Sequence, residues 1–173
     1  MNTSTLFCTE RLHIRKFYPE DYNDLTEILT DKEVTYFEPC ETFTKEQCIQ
    51  EAINFSQSDD FFAVVLENKV IGKIYFSKRS YESYEIGYTF NIKYQGKGYA
   101  FESVKGMLNY AFNTLNIRRI FAEINTRNEK SIKLIERLAM RKEATLLEYV
   151  PTKENSKIYD GMYIYALLQK EYK

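Results

Sequence analysis

The spacing of apolar and polar positions changes period several times along the chain, and each change predicts an element. Leu12, His13, Ile14, Arg15, Lys16 and Phe17 alternate apolar and polar, the pattern of a half-buried strand. Pro19 at a first helical position, followed by Glu20 and Asp21, opens a helix running to about Leu29. A second helical stretch runs from about Thr44 to Phe55. Two apolar runs, residues 61–67 and 70–77, flank Asn68-Lys69 and predict a hairpin. A strand follows from about Ser83 to Asn91. Ala100, Val104, Met107, Leu108, Ala111, Phe112 and Leu115 then recur at helical spacing. Residues 117–124 form the next strand, Asn128 to Leu138 the next helix, and residues 141–150 and 158–168 two long closing strands.

Strands outnumber helices, and the order is not the regular alternation of a doubly wound fold. The pattern predicts an α/β (α+β) architecture with a mixed central sheet. No repeat, low-complexity tract or flexible linker divides the sequence, so one domain over residues 1–173 is expected, long enough to bury a substantial core.

Composition narrows the function classes. The formal net charge is −1, so the basic surplus that displaces counterions from nucleic acid is missing, and no RNP-like motif accompanies the aromatic-rich strands. Arg118-Arg119 and the lysines between 130 and 133 read as solvated faces. Cys8, Cys40 and Cys48 are odd in number and lack C-x-x-C spacing, which argues against a disulfide scaffold and a zinc site. His13 is the sole histidine and lies in a strand, leaving no material for a catalytic triad or a histidine metal site; no metal is expected. No window approaches the roughly 20 apolar residues that span a bilayer, and residues 1–10 carry no secretory pattern, so a cytoplasmic location is the expectation.

The candidate chemistry lies in Gln95, Gly96, Lys97, Gly98, Tyr99 and Ala100, between a strand and an amphipathic helix. Glycine lets the backbone turn tightly and approach a ligand, and the first amides of the following helix are unpaired and favour an anion. A pyrophosphate fits such a place, although these residues alone fit an ordinary glycine-containing turn equally well. Phe101 stands where a Rossmann fingerprint needs its third glycine, and Gly98 follows Lys97 where a P-loop needs Ser or Thr.

The hexapeptide resembles the Q/R-x-x-G-x-G/A signature of the Gcn5-related N-acetyltransferase (GNAT) superfamily. Glu85-Ile86-Gly87-Tyr88 before it, Asn128 and Ser131 after it, and the opening Thr9-Glu10-Arg11-Leu12-His13-Ile14-Arg15 resemble the subgroup containing ribosomal-protein N-terminal acetyltransferases. The resemblance covers nearly the whole chain in order. It implies a GNAT-type domain with a central, mostly antiparallel twisted sheet flanked by helices, and an acetyl-CoA-dependent N-acetyltransferase releasing CoA.

By that resemblance, Phe90, Asn91 and Ile92 offer backbone groups to the pantetheine arm. The amides of Gln95, Gly96, Lys97, Gly98, Tyr99 and Ala100 hold the pyrophosphate. Asn128 bonds the pantetheine, caps its helix, or does both. Glu85 is the expected base, relaying a proton through water, or else a structural strand residue. A backbone amide near residues 90–92 meets the oxyanion. Many relatives place a Tyr seven residues after the helix-opening Asn to meet the leaving thiolate; here that residue is Ile135, and Ser131 is the nearest hydroxyl. Ile92 also stands where proline is common, and Ala139-Met140 replaces a frequent Gly-Phe.

The acceptor must lose a proton before its nitrogen can attack. A lysine-type amine, with pKa near 10.4, is only about 0.1% neutral at pH 7.4, a deficit of roughly 4 kcal/mol, whereas a protein N-terminus is already roughly a quarter neutral. By the subgroup resemblance, a protein N-terminus acetylated by direct attack in a ternary complex is the expected substrate. A small amine (polyamine, amino acid or aminoglycoside) and a non-catalytic CoA-binding module are the alternatives. Glu38, Glu41, Tyr36 and Phe37 border the acceptor side in such a fold, although surface charge and core packing explain them equally well. The expected protein is a monomer or homodimer, with no nucleic-acid or membrane partner.

Overall fold

A computed structural model describes residues 5–173. Its centre is one eight-stranded sheet. The strands are β1 (Thr5–Cys8), β2 (Leu12–Lys16), β3 (Phe61–Leu66), β4 (Lys69–Lys78), β5 (Ser83–Phe90), β6 (Arg119–Asn125), β7 (Arg141–Pro151) and β8 (Tyr159–Leu168). The helices are α1 (Tyr22–Leu29), α2 (Lys45–Gln57), α3 (Tyr99–Asn113) and α4 (Glu129–Arg137). The sheet order is β1-β2-β3-β4-β5-β6-β8-β7, antiparallel throughout except between β5 and β6. This is the mixed-sheet α/β architecture the periodicity predicts, and the mostly antiparallel sheet the resemblance implies.

Two cores explain the patterning. Phe62 and Val64 join Val104, Met107, Leu108 and Phe112 of α3 and Ile135 of α4 on one face. Ala63 and Val65 point the other way, against Leu25, Ile28 and Leu29 of α1 and Ala52 and Phe55 of α2. β3 is thus covered on both faces, and its sequence is continuously apolar. β6 is covered on one face only: Ile120, Ala122 and Ile124 are buried, while Arg119, Phe121 and Glu123 alternate with them. Each side chain wholly withdrawn from water contributes about 1.5–3 kcal/mol.

Boundaries differ from the expected ones in three places. β1 was not predicted; its four residues pair with β2 at the sheet edge, and Phe7 stacks on Tyr110 of α3 at 5.5 Å. The β3–β4 turn is centred on Glu67 and Asn68, with Glu67 at φ 55, one residue earlier than Asn68-Lys69. Pro19 starts a 3-10 turn, Pro19–Asp21, before the α-helix begins at Tyr22. Thr44 caps α2 as its spacing to Gln47 implies: the Thr44 hydroxyl accepts from the Gln47 amide at 3.3 Å and the Gln47 side chain accepts in return at 2.7 Å.

One departure from regular pairing positions the site. β5 and β6 pair only at Ser83–Arg119, Tyr84–Ile120 and Glu85–Phe121. Beyond that, β5 stays on β4 as far as Phe90, while β6 stays on β8 as far as Asn125. The two central strands therefore part, and a gap opens between them toward the N-termini of α3 and α4.

Candidate active site

At the mouth of the gap the chain makes a 3-10 turn, Ile92–Tyr94, capped by the Asn91 side chain, and then the glycine loop. Gly96 and Gly98 have φ of 74° and 83°, a left-handed conformation that a side chain disfavours. A Cβ at Gly96 would meet nothing within 4 Å, so its glycine answers to backbone conformation rather than crowding. Gly98 caps α3, and Glu102 is the first amide of that helix to find a carbonyl, that of Gly98 at 3.0 Å. Among the described residues, the amides of residues 96–101 have no intramolecular acceptor. This row of bare N–H groups, at the positive end of a 15-residue helix, suits a diphosphate.

The loop is braced from the chain's opening segment. Glu102 accepts from the Thr9 hydroxyl at 2.6 Å, the Arg11 amide at 2.8 Å and Arg11 Nε at 2.6 Å. Arg11 also donates to the Lys97 carbonyl at 3.2 Å and lies over the Tyr99 ring at 4.5 Å. Burial alone would raise the Glu102 pKa; the bonds from Thr9 and Arg11 outweigh it and hold the carboxyl below its ordinary value. The Thr9-Glu10-Arg11 segment thus has a mechanical role. Lys130 of α4 reaches the Gln95 side chain at 3.2 Å, and Gln95 donates to the Phe90 carbonyl at 3.1 Å, so α4 and β5 are tied to the loop as well.

The free edge of β5 follows from strand alternation. Asn91 donates its amide to Ile71 of β4 at 2.9 Å, so Thr89 and Gly87 also face β4, while Tyr88 and Phe90 turn their main-chain groups to the gap. Of the three residues expected to offer backbone groups, Phe90 keeps a free amide. Asn91 does not: it is buried, its amide is used by Ile71, and its side chain bonds Glu27 at 3.0 Å. Ile92 lies in the turn, its carbonyl accepting from Gln95 at 3.3 Å. Across the gap, the Asn128 side-chain oxygen accepts the Ser131 amide at 3.2 Å, the cap its position predicts. Among the described residues the Asn128 side-chain NH₂ and the Ser131 hydroxyl have no protein partner.

On the opposite face, Glu85 lies at the last paired position before the strands part. Arg79 reaches one oxygen of it, Oε2, with both Nε at 2.8 Å and Nη2 at 2.7 Å. Glu123, two residues past the pairing on β6, shares this face and a cleft of about 520 Å³ with Glu85, Arg79 and Phe121. Partial burial, followed by repulsion from Glu85, raises the Glu123 pKa, and Arg79 offsets only part of this. Nothing in the sequence singled out Glu123, which sits at an exposed position of the β6 alternation where a charge is ordinary.

The segment between α1 and α2 packs over β4 and β5. Glu38 accepts from the Thr89 hydroxyl at 2.7 Å and pairs with the nearly buried Lys73 at 3.1 Å. Tyr36 and Phe37 pack edge to face at 4.7 Å, with the Arg127 guanidinium 5.5 Å from the Tyr36 ring. Arg127 in turn binds Asp160 at 2.6 Å, and Tyr36 bonds Glu154. Glu41 is exposed and takes no part. No cluster of metal-ligating side chains occurs among the described residues, and no helix among them is long and apolar enough to cross a membrane.

Residues 11–141 match the acetyltransferase (GNAT) domain family. A Bacillus subtilis protein named uncharacterized N-acetyltransferase YnaD is 34% identical over 169 residues, 95% of this chain and 97% of its own length. The ribosomal protein uS5-alanine N-acetyltransferase of Escherichia coli is 33% identical over 87 residues, 49% of this chain and 45% of its own length. A solved GNAT-family acetyltransferase from Bacillus anthracis superposes with a TM-score of 0.88 at 34% identity, covering 95% of this chain and 98% of that one.

Proposed function

This chain belongs to the GNAT acetyltransferase family, acyltransferases that use acetyl-CoA, and we propose that it acetylates a protein N-terminus by direct attack within a ternary complex. The observation that carries the reading is the row of bare amides at residues 96–101, opening onto the gap between β5 and β6. The loop amides receive the diphosphate, with Lys97 adding positive charge. The free edge of β5 at Tyr88 and Phe90 receives the pantetheine arm, and Asn128 bonds it from the other wall. The Tyr88 or Phe90 amide donates to the developing oxyanion.

The acceptor nitrogen enters from the open face. There the proton acceptor is Glu123 rather than Glu85, whose carboxylate is already clamped by Arg79. Glu85 keeps a supporting role: its charge raises the proton affinity of Glu123. Nitrogen gives its proton to Glu123 through water, the C–N bond forms, and the C–S bond breaks with its electron pair on sulfur.

Two observations favour a protein N-terminus over a polyamine. The carboxylates around the acceptor side each carry a cation: Glu38 has Lys73, and Asp160 and Glu154 share Arg127. A polyamine needs uncompensated acidic groups, and Glu38, Asp160 and Glu154 supply none. In addition, a partly exposed carboxylate acting through water suffices for an N-terminus that is already partly neutral. Thiol release from acetyl-CoA against peptides, polyamines, amino acids and aminoglycosides tests the reading. Peptides with free N-termini are expected to turn over and their Nα-blocked counterparts to fail. Preference for a polyamine would overturn it, and CoA binding without thiol release on any amine would make the chain a binding module.

A further inference from the structure

An expelled thiolate needs a donor, and the helix lining the gap offers little. Ile135, on the inward face of α4, is fully buried and apolar. Ser131, one turn earlier on the same face, is a first-turn residue with a short side chain. The other hydroxyl that reaches this wall comes from β5. The even positions of β5 point toward α3 and α4, as Ile86 and Phe90 show by joining that core. The Tyr88 side chain follows them, spans the gap, and ends with its hydroxyl 3.4 Å from the Ser131 carbonyl. That contact is long, and the carbonyl lies inside a helix where the i+4 amide already claims it. The Tyr88 hydroxyl is therefore a partly buried donor with only a weak partner, beside the edge that Tyr88 itself presents to the gap.

We propose that the Tyr88 hydroxyl is the hydrogen-bond donor to the sulfur of CoA as the thiolate leaves. The assignment rests on the acetyl-CoA reading of the gap. As the C–S bond breaks, its electron pair moves to sulfur; Tyr88 O–H points into that pair and keeps its proton, and CoA departs as a thiolate to be protonated by solvent. Full proton transfer is not the role. Burial pushes the Tyr88 phenol up to about 12, only partly offset by the Ser131 contact, and a thiol titrates near about 8.5. The transfer would run uphill, whereas a donor that never ionises stabilises a thiolate at any working pH.

The test uses CoA alone, so it is independent of the acceptor. The thiol of bound CoA is titrated between pH 6 and 9.5 by the ultraviolet absorbance of the thiolate, against protein without CoA. Tyr88→Phe retains the ring, and its melting curve, and its CoA affinity at pH 6 where the thiol is protonated, are expected to match wild type. Its bound thiol is expected to titrate about one unit higher, a tenfold loss of thiolate stabilisation, while Ser131→Ala leaves the value in place. An unchanged thiol in Tyr88→Phe, or a shift arising in Ser131→Ala instead, would overturn the assignment. Failure of wild-type protein to bind CoA would remove the reading of the gap, and this proposal with it.

Discussion

Replacing Gly98 with valine separates the loop's chemistry from the fold's stability. At φ 83° a β-branched residue carries backbone strain of about 1–3 kcal/mol. The new Cβ would stand 3.3 Å from Arg11 Nη2, the tip of a flexible side chain that can move aside. Against a typical stability of about 5–15 kcal/mol the chain stays folded, with a melting temperature lower by about 3–10 °C. Relieving the strain turns residues 98 and 99 out of register and removes about two charge-assisted hydrogen bonds, each worth roughly 1.5–3 kcal/mol. CoA affinity should fall by roughly 10²- to 10⁴-fold. Calorimetry with CoA and with pantetheine, which lacks the diphosphate, reads the difference. Pantetheine binding should be nearly unaffected. Unchanged CoA affinity in a folded Gly98→Val protein, or equal losses for both ligands, would refute the assignment of the loop to phosphate.

Other consequences concern titration and capping. Glu123 works as a base only when ionised, and its raised pKa places the acid limb of kcat above the ordinary carboxylate value of 4.5. Glu123→Gln should abolish that limb and depress turnover, while Glu85→Gln, by removing the repulsion, should move it to lower pH; a limb unmoved in both variants places the base elsewhere. Glu27 titrates at about 2, first because Lys69 bonds it and then because Asn91 and Lys93 do. A lowered folded-state value stabilises the fold above the ordinary carboxylate range and loses that contribution as pH falls from about 4.5 toward 2; denaturation midpoints of Glu27→Gln across that window should lose this part of the wild-type slope. Asn128→Ala removes the α4 cap, costing about 1 kcal/mol and a melting drop of about 2–4 °C, and it should weaken CoA and pantetheine alike. A loss confined to CoA would place Asn128 on the phosphate instead.

How much was legible depended on how local each cause is. Residues 95–100 declared themselves because glycines next to a 3.6-residue apolar period are short-range signals. β3 declared itself because coverage on both faces leaves a continuous apolar run. β1 escaped because four residues are too few for a period. The hairpin turn was misplaced by one residue because a left-handed Glu67 competes with the usual preference for Asn. Side-chain partnerships were harder to see. Arg79 clamps Glu85 across the β4–β5 hairpin, Lys73 neutralises Glu38 from 35 residues away, and Glu102 bonds Thr9 across 93. Such pairs depend on sheet register and loop placement, which periodicity does not encode. The proposal of Glu123 in place of Glu85 as proton acceptor rests on one such pair, the contact of Arg79 with Glu85.

The most direct test of the central claim is a CoA titration of ¹⁵N-labelled protein followed by amide resonances. The chain has six glycines, so that region of the spectrum is sparse. The account predicts that the Gly96 and Gly98 amides shift markedly downfield as hydrogen bonds to phosphate form, together with those of residues 99–101, while Gly72 and Gly161 stay in place. A saturating titration that leaves Gly96 and Gly98 unmoved would contradict it.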